Sequence, residues 1–248
     1  MSSIGENIVI HKIRYDHEII ADLIEENSKI LDIGCGNGEL LYHLKKFKKS
    51  DCRGIEISQE SIAECLTKGL SVIHGDANSD LNLYPDASFD YAILGQTIQA
   101  MNHPNQILDE MLRIAKYAIV SLPNFANYKN RLHLLFKGTM PVNKTIPFEW
   151  YETPNIHFCS IRDFENLCFK KKLLVEKKIF LTAKHKLISI MGNEIISNLI
   201  ADYGIFLIKK KELCFTNQEE YVQNQTNQKT FDQLNLANKV FSQTYNKS

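Results

Sequence analysis

The sequence predicts an α/β fold, with a mostly parallel sheet and helices on both faces, on three observations. Short apolar runs alternate with segments of helical period, the first run breaks at a glycine-rich bend that opens a helix, and an acidic residue closes three successive runs. Such alternation buries each strand from both sides, and right-handed crossovers then put ligands at the carboxyl ends of the strands.

Each element follows in turn. Residues 12–27 place Ile19, Ile20, Leu23 and Ile24 at helical spacing, which predicts a first helix. Residues 29–33 form an apolar run that stops at Gly34, the pattern of a buried strand. Helical period returns over 39–47 through Leu40, Leu41, Leu44 and Phe47. A second strand covers 52–57, a helix covers 59–68 and ends at Gly69, and a third strand covers 70–74. Pro85, Asp86 and Ala87 mark the turn into a fourth strand at 88–94. A helix over 104–115 leads to a fifth strand, 117–122, which Pro123 stops.

Residues 124–160 leave this pattern. They are rich in Asn, Pro and aromatic residues, and a long excursion at a strand's carboxyl end lies where a lid or substrate wall belongs. A helix at 161–171, a strand at 173–181, a helical stretch at 187–200 and a last strand at 204–209, a hairpin partner, complete a domain over 1–211. From 212 to 248 the chain holds six Asn and six Gln and few aliphatic residues. That composition fits a disordered tail or, through Phe231, Leu234, Leu236, Val240 and Phe241, a short docked helix.

The 29 Lys and Arg balance the 29 Asp and Glu, whereas a domain that holds a nucleic-acid backbone carries a basic excess. The Lys45, Lys46, Lys48 and Lys49 run follows a helical pattern, where cations suit the negative end of the helix dipole. No two of the six cysteines (35, 52, 65, 159, 168 and 214) form a C-x-x-C pair, so no zinc or other metal site is expected. Scattered thiols fit a reducing cytoplasm. Charges interrupt every apolar stretch near the N-terminus, and no run is long enough to cross a membrane.

The bend reads Leu31-Asp32-Ile33-Gly34-Cys35-Gly36-Asn37-Gly38-Glu39. Glycines let a ligand approach the backbone, and the next helix offers free N–H groups. Nicotinamide enzymes use a similar turn, but with G-x-G-x-x-G spacing, while this one is G-x-G-x-G. Asp32 is more telling: a carboxylate there pairs with the cationic amino group of a methionyl moiety and opposes a pyrophosphate. Glu56 closes the second run, 20 residues beyond Gly36, where an acid accepts both ribose hydroxyls. Asp76 closes the third and can accept from the adenine amino group. Singly, each is as well explained as a turn, a solvated strand end or a helix cap. Together, 24 and 20 residues apart, they point to S-adenosylmethionine.

The order LDIGCGNG, GIEIS, HGDA and FDYAILGQTIQ resembles the Rossmann-like class I S-adenosylmethionine-dependent methyltransferases. VSLPNF and KGTMPVNKTIPFEWYETPNIHFCSIRDFE narrow this to a similarity with the methionine-biosynthesis protein MetW family, from Tyr15 to Lys211, with Gly95 standing where Ser is expected. The resemblance implies a seven-stranded sheet with a reversed last strand. It carries the methionyl contact onto Asp32 and Gly34, the turn onto Gly36 and Gly38, ribose onto Glu56, and adenine onto Asp76 with Ile57 and Ala77. Gln96 would face the methionine end. It also implies a setting in methionine synthesis beside a homoserine O-acyltransferase, MetX.

Methyl transfer is an in-line displacement in which positive charge disperses, so positioning and water exclusion supply much of the catalysis. A base is needed only where the acceptor must lose a proton. Candidates in the insertion are His157, Tyr151, Glu149 and Asn124, each equally readable as a packing or solvated residue. Gln99, with Gln96, could orient an acceptor. Two functions stay open: methylation of an unidentified small molecule, or non-catalytic control of the acyltransferase by a domain that senses S-adenosylmethionine. Asp32 disfavours a nicotinamide-dependent oxidoreductase.

Overall fold

β1 (Lys29–Ile33) lies near the middle of the sheet, and four of its five residues are buried, as an uninterrupted apolar run requires. The computed structural model describes residues 14–184, 187–188 and 194–211; the Asn/Gln-rich tail lies outside the described residues. After α1 (Tyr15–Asp22) and β1 come α2 (Glu39–Phe47), β2 (Asp51–Glu56), α3 (Gln59–Thr67), β3 (Ser71–His74), the short α4 (Ala77–Asp80), β4 (Phe89–Gly95), α5 (Pro104–Ile114) and β5 (Ala115–Pro123). α6 (Tyr128–Lys137), α7 (Ile161–Lys170), β6 (Leu173–Leu181), α8 (Glu194–Ile200) and β7 (Tyr203–Lys210) follow.

The seven strands are ordered β3-β2-β1-β4-β5-β7-β6. β1 through β5 pair in parallel, and β7 runs antiparallel to both β5 and β6. The order reverses between β1 and β4, so the strand-end crevice there is the ligand position of this architecture. Apolar side chains fill both faces. Leu40, Leu41 and Leu44 of α2 pack with Ile20 of α1 on one side, and Leu108 and Met111 of α5 with Phe164 of α7 and Phe206 of β7 on the other. Each such side chain contributes about 1.5–3 kcal/mol on burial.

The differences from the sequence reading have local causes. The first helix stops at Asp22, where the Leu23 and Ile24 N–H groups tighten to carbonyls three residues back, Ile20 and Ala21; further on, Asn27 turns left-handed at φ 60° and donates its N–H to the Lys48 carbonyl. Leu187, expected in a helix, bridges to Leu181 in extended backbone, and the described helix there begins at Glu194. β5 starts two residues early because Ala115 passes straight from the end of α5 into extended backbone. Inside the excursion lies α6, with Asn127 accepting from Lys129 N–H as its N-cap and Gly138 closing it at φ 63°. No helix among the described residues is long and apolar enough to cross a membrane.

Candidate functional site

The glycine bend joins β1 to α2 through three left-handed residues, Gly34, Gly36 and Gly38, at φ 72°, 52° and 75°. Their reasons differ. A side-chain carbon on Gly38 would sit 2.5 Å from Leu70 Cδ1 and 2.7 Å from Cys65 Sγ, and one on Gly34 would sit 3.3 Å from Thr97. At Gly36 nothing lies within 4 Å, so the left-handed backbone, and no contact with the protein, is what favours glycine there. The bend is pinned from behind. Gly34 N–H donates to the Ile55 carbonyl (2.9 Å), Lys68 Nζ to the Asn37 carbonyl (2.6 Å) and Cys65 Sγ to the Gly36 carbonyl (3.2 Å).

Glu56, the last residue of β2, ties the glycine bend to the neighbouring strand end. One carboxylate oxygen accepts from Gly36 N–H at 2.8 Å, and the other accepts from the N–H groups of Ile57 and Ser58 at 2.9 and 3.0 Å. These bonds fix the carboxylate and leave lone pairs for hydroxyl donors. Ile57 beside it is 64% exposed, an apolar side chain standing free at a strand end.

Asp32 is 4% exposed. No hydrogen bond or ion pair reaches its carboxylate among the described residues. Burial, and secondarily the charge of Glu56, push it up to about 7. A buried acid without a counter-charge is unfavourable unless a cation arrives.

Asp76 caps α4: its Oδ1 accepts from Asn78 N–H and from Asn78 Nδ2, both at 2.9 Å. Ala77 follows it as the first residue of α4, partly buried against the core. Gln96, just past β4, holds a left-handed backbone at φ 54° that costs an L-residue about 1–2 kcal/mol. Its N–H reaches Ser121 Oγ (2.9 Å), and its Nε2 donates to Asp16 Oδ2 (2.8 Å). Burial raises the Asp16 carboxyl, but the bonds and charge of Arg14 outweigh it and hold the group low. Sequence reading missed Asp16, which looked like one more acid in a helical first turn.

Of the four candidates in the insertion, His157, Tyr151 and Glu149 are exposed, with Tyr151 at 65%. Asn124 is fully buried and saturated by backbone: Nδ2 donates to the Asn198 and Ala201 carbonyls, and Oδ1 accepts from Ala126 and Ile161. It is an anchor, not a base. Asn127 and Asn130 are likewise buried, giving a ladder at intervals of three that bonds the insertion's root to the 200–202 turn, to Phe125 and to Asn143. Asn124→Ala takes the side-chain donor from the Asn198 carbonyl and the shared acceptor from the Ala126 and Ile161 N–H groups, while Asn127 still serves Ala201, and is expected to cost about 3 kcal/mol. At this chain length that lowers Tm by roughly 10 °C, and a fall below about 2 °C in a thermal melt would remove the anchor role. The far end of the insertion returns to the sheet, where Ile156 and His157 N–H groups both donate to the Gln99 carbonyl at 2.9 Å. Gln99, Pro123, Phe125, Ile146, His157 and Phe158 enclose a small pocket past the ends of β4 and β5. Gln99 Oε1 is buried there without a hydrogen-bond partner.

The family model described as "Methionine biosynthesis protein MetW" matches residues 14–208. The chain belongs to the MetW family. Among curated relatives it is 34% identical over 174 residues to the bifunctional methionine biosynthesis protein MetXA/MetW of Rhodopirellula baltica; the match covers 66% of this chain and 28% of that protein. Among solved structures, an S-adenosylmethionine-dependent methyltransferase from Archaeoglobus fulgidus superimposes with a TM-score of 0.56 at 17% identity, covering 78% of this chain and 94% of that one. The [4+2]-cyclase SpnF matches at 0.57 and 17%, covering 78% and 80%. The MetW-family chain therefore has the class I methyltransferase fold. A cyclase among its likenesses cautions that this fold does not by itself specify methyl transfer.

Proposed function

We propose that this MetW-family chain binds S-adenosylmethionine in the crevice between β1 and β4 and transfers its methyl group to a small molecule. One observation carries the reading: Asp32 is a buried carboxylate without a counter-charge, beside a glycine bend whose middle residue opens onto free space. The ammonium of a methionyl group supplies the missing cation. Glu56, pinned by three backbone N–H groups, is set to accept the ribose hydroxyls, and Ile57 offers an apolar face to the adenine. Gly34 and Gly38 shape the turn, Asp76 and Ala77 border the adenine, and Gln96 borders the methionine end.

Bound there, the sulfonium supplies an electrophilic methyl carbon. The chain's own contribution is to orient and exclude water, for which no base is required unless the acceptor must lose a proton. Gln99, which lines the small pocket past β4 and β5, is assigned to the acceptor side; its unpartnered Oε1 is buried and must turn outward before it can accept a hydrogen bond there. His157, Tyr151 and Glu149 could act only if the insertion closed further.

That exposure and the fused relative favour a second reading, in which the ligand-bound domain controls a homoserine O-acyltransferase of the MetX type. Two assays separate the readings. A methyltransferase produces S-adenosylhomocysteine with a metabolite fraction as acceptor. A regulator produces none and changes acyltransferase activity when S-adenosylmethionine is added.

Binding itself has a pH signature. The cation selects ionised Asp32, whose carboxyl sits at about 7 before it arrives. Affinity is therefore full above pH 7 and weakens about tenfold per unit below it, roughly 30-fold between pH 8 and pH 5.5. Calorimetry across that range is the check, and a flat profile rejects the Asp32 contact.

A further inference from the structure

The insertion carries apolar surface that the fold does not use. Of the ten residues of α6, the one that is buried is polar, Asn130. Leu135 and Phe136 are 73% and 79% exposed, and Trp150 further along is 69% exposed. Half of the exposed large apolar side chains among the described residues fall between 128 and 158. By contrast, α5 buries five apolar side chains. A concentration of this kind marks an interaction surface, and aromatic side chains standing free are the usual anchors of one.

We propose that α6 and the 148–151 stretch form the docking surface for the homoserine O-acyltransferase, with Leu135, Phe136 and Trp150 as anchors. This rests on the partner reading above and adds the surface to it. Three observations select that occupant. First, the relative's name joins MetXA and MetW in one protein, which makes a MetX-type acyltransferase the occupant to test for a MetW-family surface. Second, the insertion from 124 to 160 holds four cations, Lys129, Arg131, Lys137 and Lys144, against two acids, Glu149 and Glu152. Like charge makes a second copy of the same face a poor match and calls for a partner with an acidic rim. Third, the segment is wired to the candidate ligand site. Ile156 and His157 hold the Gln99 carbonyl, and Gln99 Nε2 donates to the Gln96 carbonyl at 2.6 Å. A partner seated on the insertion thus touches a segment bonded to the strand end where the ligand would lie, which gives the two sites a means of coupling.

The test uses the full chain and the acyltransferase of the same organism, with titration calorimetry and size-exclusion chromatography. The double variant Leu135→Glu/Phe136→Glu is expected to bind the acyltransferase at least 100-fold more weakly, with unchanged Tm and unchanged heat with S-adenosylmethionine. Leu83→Glu, at a side chain 78% exposed elsewhere, is expected to bind like the unmodified chain. Equal binding by the double variant overturns the surface. So does an unmodified chain that ignores the acyltransferase and instead sediments with phosphatidylglycerol vesicles, or forms a dimer that the double substitution dissolves. An unmodified chain that binds S-adenosylmethionine but not the acyltransferase overturns the partner reading and the surface with it. A chain that binds the acyltransferase but not S-adenosylmethionine overturns the cofactor reading alone.

Discussion

Asp32→Asn is expected to weaken S-adenosylmethionine binding by at least 100-fold while making the unliganded protein more stable. The two effects share one cause. The carboxyl is raised from 3.8 to about 7, first by burial and then by the charge of Glu56. A group raised in the folded state favours folding below its unfolded value, and that contribution drains away as pH rises through the folded one. Between about pH 4 and pH 7 the unliganded protein thus loses stability at this site, and above pH 7 the ionised acid exerts its full penalty. One unit corresponds to 1.36 kcal/mol, so the penalty is about 2–4 kcal/mol after allowance for relaxation around the group. Asparagine keeps the shape and never ionises, so it removes the penalty together with the charge that attracts the ligand. Thermal melts at pH 8 should place the variant several degrees above the unmodified chain, with the gap closing toward pH 4. A variant that melts lower at pH 8, or binds as before, would show that Asp32 is an ordinary turn carboxylate.

The features legible in the sequence were those that local chemistry writes into it. The central strands β1, β4 and β5 could be read from short apolar runs, because a strand covered on both faces has no polar side to disguise it, while β3 at the sheet edge, with no buried residue, was read from its place after a helix and a glycine. Glu56 could be picked out as a candidate because it closes the strand after that of Asp32, in a repeating pattern of strand-end acids. Its bonds to Gly36 and Ile57 show that the same carboxylate also ties the bend together, which spacing alone does not reveal. Asp76 is the opposite case: the cap reading is visible in the structure, since Oδ1 holds Asn78. What stayed hidden depended on distant partners. Asp16 meets Gln96 across 80 residues, and the bond joins α1 to the strand-end loop. The Asn124, Asn127 and Asn130 ladder had a readable interval of three, yet its meaning depends on the 200–202 turn, far along the chain. α6 had its Asn cap and closing glycine in plain view. Its apolar residues hid it, because they do not form the stripe of a helix packed on a core.

Gly36→Ala and Gly38→Ala should separate ligand binding from folding, although they change residues only two apart in the same bend. Both positions hold left-handed backbone, so each alanine costs about 1 kcal/mol of conformational strain. At Gly38 the new methyl also collides with Leu70 and Cys65, side chains that seat α3 and the start of β3 against the bend. Overpacking of that kind costs a further 1–3 kcal/mol or so, and the expected result is a Tm lower by roughly 10 °C. At Gly36 there is no protein atom to strike, so the fold should lose only the strain, a few degrees. The methyl would instead occupy the space over the bend where the proposed ligand lies against the backbone. Calorimetry should then show affinity for S-adenosylmethionine falling on the order of 100-fold in a protein that still folds. If Gly36→Ala binds normally, the free space above it is bare surface, and the crevice between β1 and β4 holds no nucleoside.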